Sequence, residues 1–267
     1  MSARSRAYDV LARLPSGPLR LAGAWLERLV AVQLVDRSVA LAGRAFTALI
    51  PLLIVYDAVV PTIDGKDFAD QVIDRFELKG SAADSVRQAL ASTSDAEQTF
   101  NVLGVLLVIV SALSFARALQ RLYELAFRLP PLGGVRGTPS SVLWLALIPA
   151  FVSVREVIDA IFGGLLLTVL TLGFGATLWT VTPFILLGRR LDWRRLLPTG
   201  VVTAVAMSGL SVATVIWMPH TVSESAARYG VIGVAFAMLS WLVAAGFVLV
   251  GSAAAGAVVS ERGWRAP

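Results

Sequence analysis

The chain has 267 residues, 57% of them hydrophobic and only 15% charged, with a mean hydropathy of +0.75 and a net charge of +5. A soluble domain carries nearer a quarter charged residues, so this composition excludes an ordinary water-soluble fold. No cysteine is present and His220 is the one histidine, which excludes disulfides, thiolate catalysis and a cluster of imidazoles for zinc.

Residues 1–38 hold six arginines and are expected to form a cytoplasmic or interfacial segment. Pro15-Ser16-Gly17-Pro18 interrupts it. Beyond that break Leu19, Ala22, Trp25, Leu26, Leu29 and Val30 recur at helical spacing, with Arg20, Glu27 and Arg28 elsewhere on the wheel. Such a helix lies in the membrane interface or packs beneath a bundle.

Residues 39–260 contain six apolar stretches, at 39–60, 99–116, 142–158, 161–187, 197–218 and 229–259. Each approaches the ~20 residues a helix needs to cross a bilayer. The predicted fold is therefore an all-α polytopic bundle of six spans, the first of them an uncleaved anchor. Residues 61–98 carry eight acids against four bases and read as an outer loop. Stripes at Phe68, Val72, Ile73 and Phe76 and at Ala83, Val86 and Leu90 predict two short amphipathic helices there. Ser94 and Glu97 have capping-box spacing before the second span.

The second span is expected to continue as a helix beyond Ala116, with Arg117, Arg121, Glu124 and Arg128 on one face. Pro130-Pro131 and Gly133-Gly134 end it. The third and fourth spans form a hairpin turning near 155–162. A basic loop follows, with Arg189, Arg190, Arg194 and Arg195 around Asp192 and Trp193. Pro219-His220-Thr221 and the polar stretch to Arg228 read as the connection between the fifth and sixth spans. Residues 261–267 form a short tail.

Basic residues sort by connection. Sixteen fall on the N-terminal segment, the 117–140 and 188–195 loops and the tail, six on the opposite connections. Lys and Arg concentrate on the cytoplasmic side of membrane proteins, which places both termini there. The same sorting excludes nucleic acid as the reason for the basic balance, since no soluble basic face interleaved with aromatics is formed.

Three segments carry a resemblance. Tyr229-Gly230-Val231-Ile232-Gly233 with Trp241 and Leu249-Val250-Gly251, Ser114–Tyr123, and Asp192–Gly200 resemble, in order and spacing, motifs of the YihY/BrkB family of integral membrane proteins. Ala45-Phe46 through Pro51 adds a softer match, and the likeness spans roughly residues 20–260. It implies six helices in the bacterial inner membrane and a transport-like role for lipids or small solutes. An older ribonuclease label for such proteins finds no counterpart here, because metal-assisted hydrolysis needs clustered His and Asp ligands. The sequence also departs from the family: Ser252, Ala253, Ala254 and Ala255 follow Gly251 where an acidic residue is usual.

Charged residues at membrane depth are functional candidates because they are costly to place there. Arg44 lies about five residues inside the first expected span, only ~8 Å from its edge, and either snorkels to headgroups or faces the bundle. Arg155, Glu156 and Asp159 cluster at the outer end of the third span, where Arg155 and Asp159 can pair at i,i+4 or gate a charged ligand. Arg117, Arg121 and Arg128 lie where anionic headgroups would sit. Tyr229, Gly230, Gly233, Trp241 and Gly251 are expected to serve helix packing, with Gly251 and Ala255 at small-xxx-small spacing.

The expected function is therefore export or translocation of a lipid-like or small-solute substrate by a non-enzymatic protein. It needs no cofactor or metal, and its partners are membrane lipids. The alternative is a membrane scaffold or envelope-assembly factor docking through residues 61–98.

Overall fold

The computed structural model describes residues 18–59, 99–133, 138–161 and 164–263, together with Asp70, Ile73, Gly80, Ala83, Asp84 and Arg87. Its helices are α1 (Pro18–Ala31), α2 (Leu34–Val59), α3 (Thr99–Ala126), α4 (Thr138–Ile161), α5 (Gly164–Leu186) and α6 (Trp193–Gly263). The protein is all-helical among its described residues. Among the described residues three stretches, Leu106–Ala126, Leu166–Leu186 and Trp193–Glu261, are long and apolar enough to cross a membrane. The segment before residue 18, most of the expected loop helices and the Ser94/Glu97 cap lie outside the described residues.

Local signals explain the boundaries. α1 opens on Pro18, whose missing N–H costs nothing in a first turn. α3 runs past Ala116 as the sequence predicted and closes in a Schellman turn. There the Arg128 N–H donates to Leu125 O at 3.1 Å and the Leu129 N–H to Glu124 O at 2.8 Å. Arg128 takes φ +53, a left-handed position usually held by glycine, and Pro130-Pro131 bars any continuation. α5 ends the same way at Gly188, φ +64, with Arg189 N–H reaching Phe184 O at 2.9 Å. α6 starts behind Asp192, whose carbonyl accepts the Arg195 N–H at 3.0 Å.

The expected connection at 219–228 is corrected: helix continues through Pro219 and reversal happens at Gly230, φ 59 and ψ −139. Trp241 Nε1 donates to Thr214 Oγ1 at 2.7 Å, a Cβ at Gly233 would strike the Ser225 carbonyl, and one at Gly256 would strike Thr199. In one straight helix those pairs would stand about 40, 12 and 85 Å apart. Residues 193–229 and 231–263 are thus two antiparallel arms. Gly230 permits the turn because its backbone conformation is all but closed to residues with a Cβ.

Packing divides into two clusters. One, at the end that carries Arg28, Arg128 and Arg189–Arg195, buries Leu119, Leu122, Tyr123, Trp144, Leu186, Leu196, Val250, Ala253 and Ala257. The other, at the Gly230 end, joins Ile73 and Ala83 to Met218, Val222, Ala226, Val234 and Ala237. The loop residues Ile73 and Ala83, one from each expected stripe, thus pack against the α6 arms. Helices in a bilayer gain little from apolar burial and associate where small residues let backbones meet. α6 supplies such residues: a Cβ on Gly246 would collide with the α2 backbone at Ser38, and one on Gly200 with Thr180 of α5.

Candidate functional site

The basic loop after α5 distributes its four arginines between two jobs. Arg190 turns inward. Its Nη2 donates to Glu124 Oε1 at 3.1 Å, its Nη1 to Pro130 O at 2.7 Å and its Nε to Leu187 O at 2.9 Å. Glu124 Oε1 also accepts from Gln120 Nε2 at 2.9 Å and the Leu132 N–H at 2.8 Å. A buried carboxylate is tolerated only when its lone pairs are filled by donors, and here three converge on one oxygen. The expected face shared by Arg117, Arg121, Glu124 and Arg128 is corrected at its last member: Arg128 has left the helix, while Glu124, still in α3, is buried. The cause is the Schellman turn, which takes Arg128 out of helical register.

A second inward arginine closes the same end. Arg28, expected on the polar side of α1, is buried; it donates through Nη2 to both oxygens of Glu261 at 2.7 Å and through Nη1 to the Ala126 carbonyl. Trp25 Nε1 adds a bond to Gly251 O at 3.0 Å. Leu26 and Val30 are exposed, so α1 presents apolar side chains outward and its cation to the protein. Arg28 thus departs from the expected water-facing side of an interfacial helix, because Glu261 and the Ala126 carbonyl hold it inside.

Arg189 and Arg194 instead stand against two rings that line a groove. Each guanidinium stands over an aromatic ring, Arg189 6.0 Å from the Phe184 centroid and Arg194 5.6 Å from that of Trp193. Phe184 and Trp193 are among the residues lining a cavity of about 440 Å³ between α5 and the first arm of α6. Gly173, Ala176, Thr177 and Thr180 form its α5 wall, with Leu197 opposite. The groove exists because four small residues recur on one face of α5, leaving room that larger side chains would fill. From Gly173 to Phe184 it extends about 16 Å along the helix at 1.5 Å per residue. Its two hydroxyls are spent within α5: Thr177 Oγ1 donates to Gly173 O at 2.9 Å and Thr180 Oγ1 to Ala176 O at 2.7 Å. Hydroxyls bonded to their own helix offer no donor outward, so the α5 wall is mostly apolar and presents no free hydroxyl donor. Arg189 and Arg194 are exposed, and among the described residues neither forms an ion pair.

The other candidates are scattered. Arg44 sits ten residues into α2, and its Nη1 lies at the long limit of hydrogen bonding, 3.5 Å, from Ser114 O of α3. Arg117 is exposed and donates to Thr138 Oγ1 at the start of α4, at 3.0 Å. Arg121 and Arg155 are exposed on α3 and α4. The side chains of Glu156 and Asp159, like those of Pro51 and Asp57, lie outside the described residues. Of the packing candidates, Gly233 and Trp241 join the two arms and Gly230 turns them. Tyr229 is exposed, and nothing stands within 4 Å of where a Gly251 Cβ would be; Gly246 and Gly256 make the close approaches on that arm. Sequence spacing offered no signal to separate those glycines from Gly251, because only the partner helix distinguishes them.

A family model described as virulence factor BrkB matches residues 25–266. No curated protein and no solved structure matches the chain.

Proposed function

The chain belongs to the BrkB virulence factor family, and from that membership and its apolar helices we propose that it translocates an amphipathic, lipid-like molecule. One observation carries the choice of a lipid-like cargo over a small polar solute: the groove between α5 and α6 has a mostly apolar wall, and two of its lining rings carry arginines. A hydrated solute needs donors as well as acceptors along its path to replace water, and the donors of Thr177 and Thr180 are already used within α5. An acyl chain needs none.

In this reading α2, α3, α4, α5 and the two arms of α6 are six spans in the bacterial inner membrane. The sorting of sixteen basic residues against six supports a cytoplasmic position for both termini. The reading is non-enzymatic, in keeping with a chain that has one histidine and no cysteine.

Reconstitution into liposomes tests it. Fluorescent phospholipids in one leaflet should become accessible from the other faster with protein than without. Thr177→Phe, which fills the groove from an exposed position, should slow that exchange several-fold. Exchange no faster than in protein-free liposomes would remove translocation and favour the scaffold. A reporter fused after Ala89 should be active only outside the cytoplasm; activity inside would overturn the orientation.

A further inference from the structure

We propose that the groove is a binding site for one phospholipid with an anionic headgroup, its phosphate held by Arg189 and Arg194 and one acyl chain laid along Gly173–Phe184. This rests on the translocation reading only for its setting in the bilayer; the site is argued from its own geometry. Four arginines share the loop, and packing separates them. Arg190 is consumed by Glu124 and two backbone carbonyls, and Arg195 has partners of its own. Arg189 and Arg194 are held against rings that themselves line the groove. A guanidinium resting on an aromatic face keeps its N–H edge available, and a planar fork of donors matches a phosphate oxygen pair. The cations therefore stand beside the groove, against two of its rings, with unspent donors, while the α5 wall offers none.

This juxtaposition selects the occupant. A zwitterionic lipid would fill the same apolar wall but bring its own cation to two others. An anionic peptide would find no donors along the remaining ~16 Å of wall for its backbone. A free phosphate would use the arginines and leave the groove empty. An anionic diacyl lipid satisfies both ends at once. Asp192, between the two arginines in sequence, is exposed and disfavours a second negative charge deep in the turn. That points to a singly charged phosphodiester headgroup such as phosphatidylglycerol rather than a phosphomonoester.

The test uses the full chain in phosphatidylcholine vesicles doped with diazirine-bearing phosphatidylglycerol or, separately, diazirine-bearing phosphatidylcholine, with crosslinks mapped by mass spectrometry. Wild type should crosslink phosphatidylglycerol preferentially, at residues of 173–184 and 193–197. Arg189→Gln and Arg194→Gln should each reduce that preference about fivefold, the effect of one cation near an anionic lipid. Thr177→Phe should remove groove crosslinks from both lipids.

The proposal fails if the double arginine variant keeps the preference, or if crosslinks fall elsewhere. It also fails if Arg121→Gln reduces the preference equally, since surface charge then suffices, or if soluble glycerol phosphate competes as well as the lipid. Charge-selective groove crosslinks without lipid exchange would uphold the site and remove translocation. Exchange that persists without such crosslinks would do the reverse.

Discussion

Arg190 Nη2 and Glu124 Oε1 meet at 3.1 Å, joining the turn after α5 to the last turn of α3. The glutamate side chain is 5% exposed and the arginine 26%. Removing one partner of a buried pair leaves the other desolvated and unpaired, a loss larger than the pair's own net worth. Glu124→Ala should therefore destabilise the protein by about 3 kcal/mol. Arg190→Ala should cost less, about 1–2 kcal/mol, because its head still reaches solvent. Unfolding of the two single variants and the double variant in detergent, followed by tryptophan fluorescence, checks this. Strictly additive losses would show that the two groups do not act as a pair.

The helical glycines should divide sharply. Alanine at Gly233, Gly246 or Gly256 drives a methyl into the backbone or side chain of a neighbouring segment and should cost about 1–3 kcal/mol. Alanine at Gly43 or Gly209, where nothing stands within 4 Å, should be neutral or stabilise by up to ~1 kcal/mol. The same unfolding series decides it, and similar stabilities in the two groups would contradict the close approaches.

Gly230 presents a third case, since its surroundings are open but its backbone is not, at φ 59 and ψ −139. Gly230→Ala should lose about 2 kcal/mol through backbone strain alone. The loss should appear together with altered Trp241 emission, because that indole bonds Thr214 across the two arms. A Gly230→Ala protein as stable as Gly209→Ala would remove the strained reversal.

The bond from Arg28 to Glu261 makes α1 a strap tied to the end of α6. With no native cysteine, Leu29→Cys can report on it, since Leu29 is buried. A water-soluble maleimide should modify that thiol slowly in the otherwise native chain. It should react at least tenfold faster when Glu261→Ala is added, because about 1.4 kcal/mol of lost attachment raises a locally open population tenfold. Unchanged labelling would mean that α1 is held by its other contacts.

The groove was half legible. Arg189, Arg194 and Trp193 stand together in sequence, and the small residues Gly173, Ala176, Thr177 and Thr180 share an evident helical face. What joined them was the close approach of α5 and α6 at Gly200 and Thr180, which no spacing within either helix encodes. Glu124 shows the opposite error. Its spacing from Arg117, Arg121 and Arg128 was plain, yet the Schellman turn at Arg128 and the return of Arg190 decided which of them is buried.

Composition and periodicity alone determined that this protein is helical and membrane-embedded, where its apolar stretches lie and how its basic residues sort between connections. Those properties are sums over local residues, and the bilayer reads them locally. The tertiary structure decided which arginines are buried, which glycines bear contacts, where α6 reverses and that a groove opens beside Arg189 and Arg194. Each depends on which helix faces meet, and in a membrane both faces of a helix are apolar, so hydropathy cannot distinguish the one that packs from the one that meets lipid.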